Sequence, residues 1–405
     1  MNLVKSGTIL GALLFCTVFA MNANSATTEN RSGTCCTQSA GEPSPAPRSD
    51  EPETRNSCET QEAGSAECPS QTSSSVSTQS VDFVSGLSTK ISIQRSGFGR
   101  YSRPGSRQKA ATSGRSLGSG ASADTDSDIT LSGRLSPFVV VDHSENERRA
   151  TNAGLAYKQD LDAVILGTDF RVSNDLIMGA TLNYLKSDTD FANNRGHSES
   201  DNYVAGLHAS HYIGNLYLDA LLTYGKLDID ISRIDALGNR YDSETEGAFH
   251  SAELATGYNA THRGWGFTPS VRLLHLRGSL DGYGEVDINS GGQANNFQRQ
   301  YFESLNARAA LQVDYAMLKN WGVLVPSLYF AYHHEYIGAE TTRSQTTFGT
   351  LTQTTDDPAR NYRMGRLNLA AQFKRGLSGF LSYERLIDHE YFDRDTVTLG
   401  VRYEM

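Results

Sequence analysis

From Leu135 to Met405 the chain is written in period two. Leu305, Ala307, Ala309, Leu311, Val313 and Tyr315 alternate with Asn306, Arg308, Ala310, Gln312 and Asp314. Leu367, Leu369, Ala371 and Phe373 alternate with Arg366, Asn368, Ala370, Gln372 and Lys374. A helix would bring every third or fourth side chain to one face. Strict alternation is the spacing of a strand with one apolar and one polar face. Twelve such segments run roughly over 135–143, 161–172, 176–186, 202–212, 216–229, 250–261, 265–277, 301–316, 321–336, 362–374, 378–387 and 396–405. Most reach the ~9–11 residues that a tilted strand needs to cross a bilayer.

The connections alternate as well. Short turns follow the even segments, at 173–175, 213–215, 262–264, 317–320 and 375–377. Long polar stretches follow the odd ones, at 144–160, 187–201, 232–249, 278–300, 337–361 and 388–395. Outer-membrane barrels have short periplasmic turns and longer external loops. The polar face carries both signs of charge, in Asp169, Arg171, Glu253, Arg308, Asp314, Arg366, Glu384 and Arg402. That mixture suits a lumen lined by a charge network. The apolar face is uncharged through its middle and ends in Tyr184, Tyr224, Tyr258, Tyr315, Tyr332 and Tyr403, as in an aromatic girdle. The expected fold class is all-β, a transmembrane antiparallel barrel of twelve strands over 135–405. A soluble β-sandwich or lipocalin-like barrel is the competing fold, and the turn-length alternation argues against it.

The residues before the barrel are of another kind. Six of the 10 Pro and all five Cys lie before residue 131, and 18 of the 19 Tyr lie after it. Residues 1–25 read as a signal peptide. Lys5 is the positive end, Ile9–Ala20 the apolar run, and Ala23 and Ser25 the small residues before cleavage. Twelve apolar residues are too few to span ~30 Å of hydrocarbon as a helix. Residues 26–73 carry eight acids, three Arg and few apolar side chains, so they cannot offset the entropy of ordering. This segment is expected to be disordered, with disulfides among Cys35, Cys36, Cys58 and Cys68 in an oxidising compartment. Val84, Leu87 and Ile91, with Phe83 beside them, give residues 74–96 a weak amphipathic helix signal. Residues 97–134 read as a basic Gly/Ser-rich linker; Lys90–Gly120 holds seven Lys or Arg and no acid. A net charge of −10 argues against a nucleic-acid binder. A mean hydropathy of −0.44 excludes a polytopic helical membrane protein, but not a barrel, which hides apolar residues at every second position.

Residues 163–191 (AVILGTDFRVSNDLIMGATLNYLKSDTDF) and 396–405 (TVTLGVRYEM) resemble the translocator domain of bacterial autotransporters, the type V secretion family. The resemblance implies a twelve-stranded outer-membrane barrel with a helix threaded through its lumen, for which 74–96 is the candidate. It implies that Val401, Tyr403 and Met405 belong to a C-terminal assembly signal. It also implies outer-membrane lipid, the barrel assembly machinery and periplasmic chaperones as partners, with the barrel a monomer. The implied function is translocation or display of the chain's own N-terminal segment at the cell surface. Two departures stand out: the family usually ends in Phe or Trp where Met405 stands, and its passengers are usually far longer than 26–73. The alternative function is a passive porin-like or structural barrel with a periplasmic N-terminal segment.

Catalysis finds little support. His197-Ser198 and His250-Ser251 are adjacent, and neighbours in a strand point to opposite faces. His333-His334-Glu335 and Asp388-His389-Glu390 could be metal or protease groups, but polar strand ends at an outer rim are expected anyway. Residues 74–96 contain no Asn for self-cleavage of the kind known in part of the family. The expectation is a non-enzyme with no catalytic residue, no cofactor and no metal.

Overall fold

The computed structural model describes residues 135–151, 155–289, 294–337, 341–346, 349–354 and 360–405. The signal, the Cys-bearing segment, the candidate helix and the linker all lie outside the described residues.

Twelve long strands form the barrel. They are β1 (Leu135–Arg148), β2 (Tyr157–Arg171), β3 (Leu176–Phe191), β4 (Gly196–Ile213), β5 (Leu216–Ile234), β6 (Arg240–Tyr258), β7 (Trp265–Leu280), β8 (Gln300–Tyr315), β9 (Gly322–Glu335), β10 (Asn361–Phe373), β11 (Leu377–Ile387) and β12 (Phe392–Tyr403). Each pairs antiparallel with the next. β12 then pairs with β1, from Phe138 opposite Arg402 to Arg148 opposite Phe392, and the sheet closes. Closure gives every strand two partners, which a sheet in lipid requires. The expected all-β barrel of twelve strands is what the chain forms.

Local chemistry makes the tight ends. Arg263 and Gly264 take φ of 50° and 87°, as do Arg375 and Gly376 at 68° and 77°. Two successive positive φ values match the right-handed twist of flanking strands in a tight hairpin. At β2–β3 the Ser173 hydroxyl accepts the Leu176 N–H at 3.1 Å. Aromatic rings lie over strand glycines on the inside. A Cβ at Gly167 would fall 2.3 Å from the Phe138 ring, and one at Gly400 would fall 2.1 Å from the Phe380 ring.

The structure departs from expectation at the long-loop end. Residues 187–201 and 232–249 are not loops but continued strand, turned over at 192–195 and 235–239. β5 and β6 have 19 residues each. A tilted strand crosses the bilayer in ~9–11, so these hairpins rise well beyond it. Above the barrel, Val286–Asp287 adds to β6 opposite Asp242 and Tyr241. Gly349–Thr354, Thr341–Thr346, Asn296–Phe297 and Tyr283–Gly284 form a separate small antiparallel sheet.

Candidate functional site

The barrel presents two surfaces, an outer belt and a lumen, and the alternation sorts residues between them. On the outer belt, Val139, Val141, Leu166, Leu182, Leu207, Leu222, Leu367, Leu381, Leu399 and Val401 are exposed. A ring of tyrosines bounds the belt towards the long-loop end, and several bond polar groups just above them. Tyr184 donates to Asp201, Tyr332 to Asn361 at 2.5 Å, and Tyr383 to Asp395 at 2.5 Å. At the short-turn end Trp265 packs on Tyr315 and Trp321 on Phe373, with ring centroids 4.9 and 5.2 Å apart. Amphipathic rings at both boundaries are the signature of a membrane interface. No helix among the described residues is long and apolar enough to cross a membrane.

Above the tyrosines the outer face turns acidic. Asp160, Asp188, Glu199, Asp230 and Glu244 stand directly opposite one another from β2 to β6. The row beneath holds Asp162, Lys186, Asp201, Asp228 and Glu246. At the tip of β5, Arg233 grips Glu285 through two bonds of 2.7 and 2.8 Å and lies 4.2 Å from the Tyr241 ring. Burial disfavours its charge, yet the Glu285 carboxylate outweighs burial and leaves the Arg233 pKa raised.

The inner wall mixes apolar and polar side chains all round, and its guanidinium groups gather on one side. Val140, Ile165, Leu185, Val204, Leu221 and Ile229, on β1 to β5, are inward, apolar and buried, beside buried Asp142, Asn183 and Asn202. The arc from β7 to β12 buries Leu274, Leu276, Val325 and Phe380 and also carries Arg272, Arg308, His333, Arg366, Arg394 and Arg402, all buried. Glu253 holds Arg272 at 2.6 Å. Glu384 binds Arg366 and lies 3.6 Å from Arg394. Arg366 stands 4.7 Å over the Tyr329 ring. Arg308 lies in register with Arg272 on one side and His333 on the other. At the short-turn end Asp169 meets His208 at 2.7 Å and Arg402 at 2.9 Å. Asp314 is buried on the inner face of β8, while Arg171 and Glu384 are half-buried. Val401, Tyr403 and Met405 are exposed on the outer face, and the Met405 N–H donates to Leu135 O at 3.1 Å.

Sequence reasoning missed several inner-face residues. Val140 and Ile165 sit in continuous apolar runs, where alternation gives no sign of which face is inside. His208 and Arg394 find their partners on other strands, which spacing along one strand does not reveal. Among the described residues, the adjacent His197-Ser198 and His250-Ser251 pairs are split between the two faces of their strands. Ser251 bonds Thr223 at 2.6 Å while His250 faces outward. Glu335 is occupied by the Ser304 hydroxyl and the Leu305 N–H, both at 2.8 Å. His389 Nδ1 accepts the Tyr391 and Phe392 N–H groups. Among the described residues no group of three His, Cys, Asp or Glu is placed to hold a metal ion.

The sequence matches the autotransporter β-domain family over residues 137–384, more than half of its length. The chain belongs to the autotransporter β-domain family. Its fold is similar to the translocator domain of the autotransporter NalP from Neisseria meningitidis. That similarity has a TM-score of 0.55 and 16% identity, covering 67% of this chain and 88% of that one. It is also similar to the β-domain of the Bordetella autotransporter Brka, at TM-score 0.50 and 16% identity, covering 67% of this chain and 100% of that one. At these identities the likeness concerns the fold. The uncharacterised protein YaiT of Escherichia coli K12 is 25% identical over 154 residues, covering 36% of this chain and 16% of that protein. The autotransporter barrel described here is thus a protein of the bacterial outer membrane. Its short-turn end is the periplasmic end and its long hairpins are external.

Proposed function

We propose that this autotransporter barrel carries its own N-terminal segment across the outer membrane and displays it, without catalysing a reaction. The mixed lumen supports this reading. Twelve strands enclose more space than their own side chains fill. An aqueous pore would keep its wall polar, whereas Val140, Ile165, Leu185, Val204 and Leu221 put apolar side chains on a wall that also holds buried Arg272, Arg308 and Arg366. Such a lumen suits an amphipathic occupant, and Phe83, Val84, Leu87 and Ile91 supply an apolar stripe among polar residues in 74–96. In this reading 26–73 is the displayed segment, 97–134 is the linker back to β1, and Asp169 to Arg402 are the polar lining of the passage. A monomeric barrel delivered by periplasmic chaperones and inserted by the barrel assembly machinery, reading Val401, Tyr403 and Met405, completes it.

Sidedness tests the proposal. After reduction, a membrane-impermeant maleimide applied to intact cells should label Cys35, Cys36, Cys58 or Cys68. Labelling only after permeabilisation would place the segment in the periplasm and sink the display reading.

A further inference from the structure

We propose that Asp169, His208 and Arg402 form a closure latch that fastens the last strand to the first half of the barrel. The latch depends only on the closed barrel, whether or not the N-terminal segment crosses the membrane. Arg402 lies on β12 and Asp169 on β2, so their 2.9 Å bond spans β1 between them. Asp169 also reaches His208 on β4 at 2.7 Å, spanning β3. The span over β3 exists because Gly179 stands between the two, opposite both. A Cβ there would fall 2.1 Å from His208 Nε2. The carboxylate and imidazole each have side-chain exposures of 2%, so the group is sealed from bulk water. Phe138 lies over Gly167 beside it and roofs the same corner.

This geometry has a sequence in time. Asp169 and His208 come together once β2, β3 and β4 pair. Arg402 reaches Asp169 only when β12 lies against β1, the last pairing that removes the free edges. A buried carboxylate is strongly biased towards acquiring a cation, and Arg402 delivers one at the moment of closure. The role is that of positioning residues for β12, separate from the outward Val401, Tyr403 and Met405.

The test compares closure with pairing elsewhere in the full-length protein, with Cys35, Cys36, Cys58 and Cys68 replaced by Ser. One cysteine pair, Val141→Cys with Leu399→Cys, reports the seam, since these residues are directly opposite. A second, Leu311→Cys with Phe330→Cys, reports β8 against β9. Oxidative cross-linking after a pulse in cells gives a rate for each. Asp169→Asn should slow the seam cross-link by about ten-fold, the factor that ~1.4 kcal/mol gives, and leave the β8–β9 cross-link unchanged. Asp169 is remote in sequence from the C-terminal signal, so a failure of recognition would not produce that split. Arg402→Lys should retain most of the seam rate and Arg402→Gln should match Asp169→Asn. Equal slowing of both cross-links, or no slowing of the seam, would overturn the latch.

Discussion

At the scale of single residues, the lumen charges are held in unequal partnerships. Arg272 and Arg308 face each other in register, and Glu253 stands 2.6 Å from Arg272. Glu253→Gln leaves that guanidinium buried beside another with its counter-charge gone. Breaking a buried pair in this way typically costs ~3 kcal/mol or more, whereas replacing both partners by apolar side chains is often close to neutral. The expected outcome is a clear fall in the temperature at which the folded barrel loses its fast electrophoretic mobility for Glu253→Gln. A much smaller fall is expected for Glu253→Leu combined with Arg272→Met. Equal losses would mean that the pair contributes through its charges and not merely by avoiding an orphan. The charges themselves were legible from alternation: Asp169, Glu253, Arg308, Asp314, Arg366 and Arg402 occupy the polar positions of clear period-two runs. Their partnerships were not legible, because which residue of β4 meets which residue of β2 depends on strand offsets. His208 acquires its role only through that register and through a glycine on the strand between.

At the scale of elements, the extended hairpins from β2 to β6 are the part of the fold that the sequence hid. In 187–201 the inward residues are Ser187, Thr189, Ser198 and Ser200, with Phe191 beside the turn, and the outward ones are Asp188, Asp190, His197, Glu199 and Asp201. Apart from Phe191 both faces are polar, so hydrophobic alternation fades while the strand continues. The structural consequence is a row of five carboxylates, each directly opposite the next. Like charges in direct opposition destabilise a strand pair by a few tenths of a kcal/mol up to ~1 kcal/mol. The row is exposed, so salt should screen it. Amide exchange in the hairpin ends should slow as ionic strength rises. Asp188→Asn with Glu199→Gln should slow exchange at low salt and abolish most of the salt response. Salt-independent exchange in the unaltered protein would show that the repulsion has no energetic weight.

At the scale of the whole molecule, the barrel is closed, amphipathic on its outside and lined on its inside by apolar and charged side chains together. Closure was legible in outline from turn lengths and the final strand; the mixed interior was not. That interior makes a prediction for transport. If residues 74–96 occupy the lumen, deleting them should raise single-channel conductance in planar bilayers well above that of the intact protein. Unchanged conductance would remove the segment from the lumen.

The last strand carries two messages on interleaved residues. Val397, Leu399, Val401, Tyr403 and Met405 look outward, while Arg394, Thr396, Thr398 and Arg402 look inward. Thr398 bonds Asp142 at 2.5 Å, and Thr396 bonds Ser144 at 2.7 Å. The outward set is a run of apolar side chains that many outer-membrane strands could supply. The inward set is cut to this barrel, like the teeth of a key behind a standard bow. A chimera that borrows β12 from another barrel would keep the bow and lose the teeth, and its seam should close more slowly.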